Sequence, residues 1–143
     1  MDMAGRVDPE QTTTLHGLVP FAALLGVEVV GAGAGEVRAR IAWQPDRCTA
    51  GGVLHGGVLM GLADTCGAWC AFLNLPEGAS GTTTIESKSN FFRAVRHGYI
   101  EAVARPLHVG RSTIVVETDL RDASGRHVAR VAQTQAVLRP DMS

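Results

Sequence analysis

Asp64 is the one carboxylate in an apolar run from Val53 to Leu75, and it lies nine residues after the histidine of His55-Gly56-Gly57. A carboxylate in a lined cavity can attack an acyl carbonyl, or take a proton from the water that does. It can equally serve as a structural acceptor for backbone amides or as partner to a sheet arginine, because a buried ionised carboxylate is costly without partners. His55-Gly56-Gly57 stands where a helix would begin, with amide N–H groups that lack intrahelical acceptors at the positive end of the dipole. Paired glycines let a substrate oxygen approach such a start, which can then hold the negative oxygen formed when a carbonyl is attacked. The alternative is a tight loop-to-helix junction with His55 packed and hydrogen-bonded.

These residues need a helix from about His55 to Asn74, which Pro76, Gly78 and Gly81 then break. Residues 56–73 are apolar or small nearly all round, a pattern that predicts a helix buried on every side with Asp64 at its middle. At a 3.6-residue period, Gly57, Met60, Gly61, Gly67, Ala68 and Ala71 fall near Asp64, and Leu59, Leu62, Cys66, Trp69 and Leu73 fall opposite. The bulky stripe can fill the concavity of a sheet, and the bare stripe leaves room for a ligand or for another backbone. Gly56 and Asp64 are separated by eight residues, about 12 Å along a helix, too far to address one carbonyl together. If both act, they come from different copies: two antiparallel central helices about a two-fold axis give a homodimer with two shared active sites.

The rest of the chain supplies the sheet. Strands are expected at 27–30 and 36–43, joined around Gly31 to Gly35, and then at 82–93, 98–108, 111–121 and 126–138. Asp122-Ala123-Ser124-Gly125 makes a tight turn between the last two. Leu15 to Leu25 is a further apolar segment, residues 1–13 are expected to be a loose arm, and 139–143 a tail. The economical arrangement is α+β, a single domain over 1–143 with one curved antiparallel sheet wrapped around one long central helix. Its 143 residues and 45% hydrophobic content suffice for a core. Thirteen Lys plus Arg against fourteen Asp plus Glu leave no basic field to recruit nucleic acid or an anionic membrane. Three cysteines, Cys48, Cys66 and Cys70, and a start without a basic and apolar leader predict a cytoplasmic protein. Cys66 and Cys70 could share a metal at helical spacing, but no further ligand set accompanies them, and packed free thiols are expected. Trp69 and Phe72 read as core. Gly31, Gly33 and Glu36 fall one glycine short of a dinucleotide fingerprint, and Gly78-Ala79-Ser80-Gly81-Thr82 lacks the final glycine of a serine-hydrolase elbow.

The run Gly52-Val53-Leu54-His55-Gly56-Gly57-Val58-Leu59-Met60-Gly61-Leu62-Ala63-Asp64-Thr65 resembles the hot-dog fold thioesterases of the PaaI type, whose hallmark is His-Gly-Gly with an acid nine residues after the histidine. The likeness extends from Pro20-Phe21 and Leu25-Gly26 to the closing strand. It implies hydrolysis of an acyl-CoA thioester without metal or redox cofactor, on a small aromatic acyl group of the phenylacetyl or hydroxybenzoyl kind, with medium-chain acyl groups next. By that likeness Asp64 is nucleophile or general base, the Gly56 amide of the other subunit polarises the carbonyl, and His55 shapes the loop. Thr49 occupies the place, six residues before the histidine, where many relatives carry Asn or Gln to position the thioester or water. Relatives also use Ser or Thr on the strand after the helix. Thr82, Thr83 and Thr84 are the candidates, and counting back from Phe91-Phe92 favours Thr84. Gly57 is expected to line the substrate site with Thr82 and Thr83. CoA phosphates call for cations, for which Lys88, Arg93, Arg96 and Arg111 are available. The likeness further implies a homodimer that pairs again into a homotetramer. Two rivals are a non-catalytic acyl-CoA binding module and a hydratase of the same fold. Hydratase relatives pair Asp with a His five residues later, where this chain has Trp69.

Overall fold

In the computed structural model, which describes residues 5–141, the stretches expected to be extended form one six-stranded antiparallel sheet. β1 (Glu28–Ala32) and β2 (Val37–Ala42) form the expected hairpin, closed by reciprocal backbone hydrogen bonds of 2.9 and 3.2 Å between Gly33 and Glu36. β3 (Gly81–Phe91), β4 (Tyr99–Val109), β5 (Thr113–Asp122) and β6 (His127–Leu138) each fall within a residue or two of their expected spans. The sheet order is β1-β2-β4-β5-β6-β3, so the chain runs to the far edge as β3 and returns to the middle as β4.

The long helix expected from the sequence is the third of three α-helices among the described residues. Helix α3 (Gly56–Phe72) lies across one face of the sheet and packs on β2 through β6. Period-two alternation sends Val37, Ala39 and Ile41 of β2, Ile100, Ala102 and Ala104 of β4, and Ile114, Val116 and Leu120 of β5 into that interface. Each Val, Ile or Leu removed from water there contributes about 1.5–3 kcal/mol.

Two expectations are corrected. α3 is buried on one side only: Leu59, Leu62, Ala63, Cys66, Gly67, Cys70 and Ala71 meet the sheet, whereas Met60, Asp64, Phe72 and Leu73 are exposed in the single protomer. Gly67 and Ala71 therefore leave the Asp64 face, and Trp69 and Leu73 leave the sheet face. The reason is that the sheet supplies the bulk at this level. The Gln133 amide sits so close over Gly67 that any Cβ there would collide with it.

The arm expected to be loose over residues 1–13 is helical from Pro9 onward. α1 (Pro9–Leu18) is capped by Asp8, whose Oδ1 accepts from the N–H groups of Glu10 and Gln11, each at 3.0 Å, with Pro9 in the first turn. It docks on β1: the Asp8 N–H donates to the Val29 carbonyl at 2.7 Å, and Thr12 Oγ1 accepts from the Val29 N–H at 2.9 Å. α2 (Pro20–Leu25) follows and stops at Gly26, whose φ of 72° suits glycine. The first four residues of the arm, and residues 142 and 143 of the expected tail, lie outside the described residues. The tail is anchored at its start by Arg139, which donates to the carbonyls of Glu77 and Arg111 at 3.3 and 3.1 Å.

Candidate active site

The start of α3 is built by a short loop with glycines at φ of 83° and 74°, Gly51 and Gly52. The loop is pinned by the His55 N–H donating to the Arg47 carbonyl at 3.0 Å and the Leu54 N–H to Val95 at 2.9 Å. His55 then caps the helix: its Nδ1 accepts from the Gly57 N–H at 2.7 Å. An accepting Nδ1 leaves the proton of the neutral ring on Nε2. The Gly57 N–H is thereby occupied, and the Gly56 N–H, which has no acceptor among the described residues, is left at the positive end of the helix. The Phe91 ring lies beside Gly56, 3.5 Å from where a Cβ would stand, an ordinary van der Waals distance.

Asp64 lies two turns along the same helix and is exposed in the protomer, not buried as the sequence predicts. Its Oδ1 accepts from Thr84 Oγ1 of β3 and from Gln133 Nε2 of β6, both at 3.2 Å. Thr84 Oγ1 in turn accepts from Gln135 Nε2 at 2.7 Å. Of the three threonines, Thr84 is thus the one beside the acid. Asp64 makes no ion pair among the described residues, and it borders a cavity of about 730 Å³. Phe21, Trp69, Phe72 and Leu15 form much of the wall, with Thr82 at its edge. Phe72, expected in the core, is exposed at this opening, whereas Trp69 is half-buried, packing against the core while it also lines the cavity.

The remaining candidates do not gather round Asp64 in one chain. Thr83 alternates to the opposite face of β3 from Thr82 and Thr84 and is exposed. Thr49 is exposed on the loop before α3, with its N–H donating to the Val53 carbonyl at 2.8 Å. Lys88 Nζ donates to Asn90 Oδ1 at 3.2 Å, Arg93 is exposed just past β3, and Arg96 Nη1 donates to the Gly51 carbonyl at 3.0 Å. Arg111 is exposed in the β4–β5 turn, by the opposite end of β3 from Lys88 and Arg93.

Sequence reasoning missed Gln133 and Gln135. Their signal was available: both occupy inward positions of β6 between Val131 and Val137, where alternation calls for apolar residues. Cys66 and Cys70 point into the core. Burial, with the neighbouring Cys70 as a smaller cause, pushes the Cys66 thiol up to about 12, and burial pushes Cys70 up to about 11.

Residues 51–129 match the thioesterase superfamily. The proofreading thioesterase EntH of Cronobacter sakazakii is 33% identical over 87 residues, covering 61% of this chain and 63% of its own. A relative from Vibrio cholerae is 38% identical over 88 residues, 62% of this chain, and the match spans 58% of that protein's length. Among solved structures, a thioesterase of Haemophilus influenzae superposes with a TM-score of 0.83 at 27% identity, over 97% of this chain and 96% of that one. The six-stranded antiparallel sheet with α3 packed on it is the hot-dog fold.

Proposed function

The chain belongs to the thioesterase superfamily, a family of thioester hydrolases, and from that premise we propose that it hydrolyses a small aromatic acyl-CoA, of the phenylacetyl or hydroxybenzoyl kind, to free acid and CoA. The observation that carries this reading is a carboxylate held by two donors at the rim of a largely apolar cavity of about 730 Å³. Asp64 attacks the thioester carbonyl or activates water against it. The developing oxyanion is received by the N–H of Gly56 of the partner subunit, because the Gly56 of the same helix is about 12 Å away. The free Gly56 N–H, the open face of α3 and the unpaired edge of β3 support assembly of the site across a two-fold axis. That homodimer, paired again into a tetramer, places the substrate between protomers. Phe21, Trp69 and Phe72 in the cavity wall support an aromatic acyl group, since rings pack edge-to-face or offset against rings.

Thiol release measured over aryl and straight-chain acyl-CoAs, on the wild type and on Asp64→Asn, tests the proposal. The wild type turns over aryl thioesters fastest, and Asp64→Asn loses turnover on the order of a thousandfold while still binding the thioester. Absence of wild-type turnover on every thioester, with binding retained, would establish a non-catalytic acyl-CoA binding module instead.

A further inference from the structure

Gln133 and Gln135 stand out as two primary amides on the inner face of β6, 1% and 0% exposed, at positions where valine or leucine would serve the core at lower cost. Each spends its N–H on the same small network and leaves its Oε1 without a partner among the described residues. An unsatisfied buried carbonyl oxygen opposes folding, so packing gives no reason for either amide. The network itself has a direction. Gln135 Nε2 donates to Thr84 Oγ1 at 2.7 Å, which occupies a lone pair of that hydroxyl and leaves its single hydrogen to donate to Asp64 Oδ1. Gln133 Nε2 donates to the same Oδ1 from the other side, at 3.2 Å. Two donors, from β3 and β6, converge on one carboxylate oxygen, and Oδ2 has no hydrogen bond among the described residues.

We infer that Gln133 and Gln135 are positioning residues that fix the Asp64 carboxylate through Oδ1, directly and by way of Thr84, so that Oδ2 is the oxygen that meets the substrate carbonyl or the water. The inference rests on the reading of Asp64 as the reacting carboxylate. Without these donors the side chain, exposed and unpaired, rotates freely about its Cβ–Cγ bond, and the fraction of time that Oδ2 spends in attack geometry falls. Occupying Oδ1 with two donors leaves the lone pairs of Oδ2 as the ones free to react.

The test uses volume-matched variants that lack the N–H or O–H donors: Gln133→Met, Gln135→Met, Thr84→Val, and the pair Gln135→Met with Thr84→Val. Each glutamine variant loses about tenfold to a hundredfold in kcat with KM within about twofold. Each also melts at or above the wild-type temperature, because an apolar side chain replaces an unsatisfied amide. The double variant is no slower than Thr84→Val alone, since Gln135 acts only through that hydroxyl, whereas Gln135→Met in a Thr84→Ser background retains its full effect. Unchanged kcat in both glutamine variants, a kcat loss that tracks a fall in melting temperature, or full additivity of Gln135→Met with Thr84→Val overturns the inference. If the wild type itself turns over no thioester, the enzymatic reading falls as well, an outcome distinct from an active wild type with indifferent variants.

Discussion

At the scale of single residues, a buried group can shape stability without touching the chemistry. Cys66 and Cys70 lose their protons in the folded chain only near pH 12 and 11, against an ordinary value of 9.0, because the core does not solvate a thiolate. The unfolded chain releases those protons first as pH rises. The stability the thiols contribute is therefore complete below about pH 9 and is lost progressively toward the folded values of about 11 and 12. Thermal melts between about pH 7.5 and 10.5 follow this, with the wild type falling above pH 9 and Cys66→Ala falling less over the same interval; equal slopes for the two contradict it. Asp64 has the opposite character. It stands at the protomer surface, held by hydrogen bonds from Thr84 and Gln133 rather than by an ion pair, and so is available to substrate.

Elements position these residues by how closely they approach. α3 can lie low on the sheet because Gly67 accepts the Gln133 amide where a side chain would stand, and that approach brings Gln133 within reach of Asp64. Gly→Ala inside an unobstructed helix stabilises by about 1 kcal/mol. At Gly67 the added Cβ would overlap the Gln133 amide, and overpacking of about 1–3 kcal/mol wins. Gly67→Ala therefore lowers the melting temperature and, by moving Gln133, lowers kcat as well; a variant that melts higher with full activity refutes the close approach. The strand positions and the helix were legible from period and punctuation. The helix faces were not, because the 3.6-residue wheel ranks side chains by bulk, whereas the sheet fills the gap at Gly67 from its own side.

For the whole molecule, the proposed site is complete only across two chains. Mixing Asp64→Asn with Gly56→Pro, which removes the amide hydrogen at the first helical position, gives heterodimers in which one of the two sites pairs an intact Asp64 with an intact Gly56. Such mixtures regain up to about a quarter of wild-type activity by random exchange, half the dimers being mixed and each having one working site of two. If the mixture is as inactive as its parents after exchange has been demonstrated by size and tag, both groups act within one chain or not at all.

The sequence by itself determined the six strands, the long helix and the place where that helix starts, because each is a local pattern: a period, a turn residue, a spacing along one chain. Only the tertiary structure decided which way α3 faces, that Asp64 lies open rather than buried, that Trp69 and Phe72 border its cavity, and that residues 9–18 form a docked helix. It alone brought Gln133 and Gln135 to the acid, since residues 69 and 51 positions from their partners meet only when β6 settles beside β3 and beneath α3. Contacts of that separation depend on strand order and on the distance of approach between layers, which no local pattern carries.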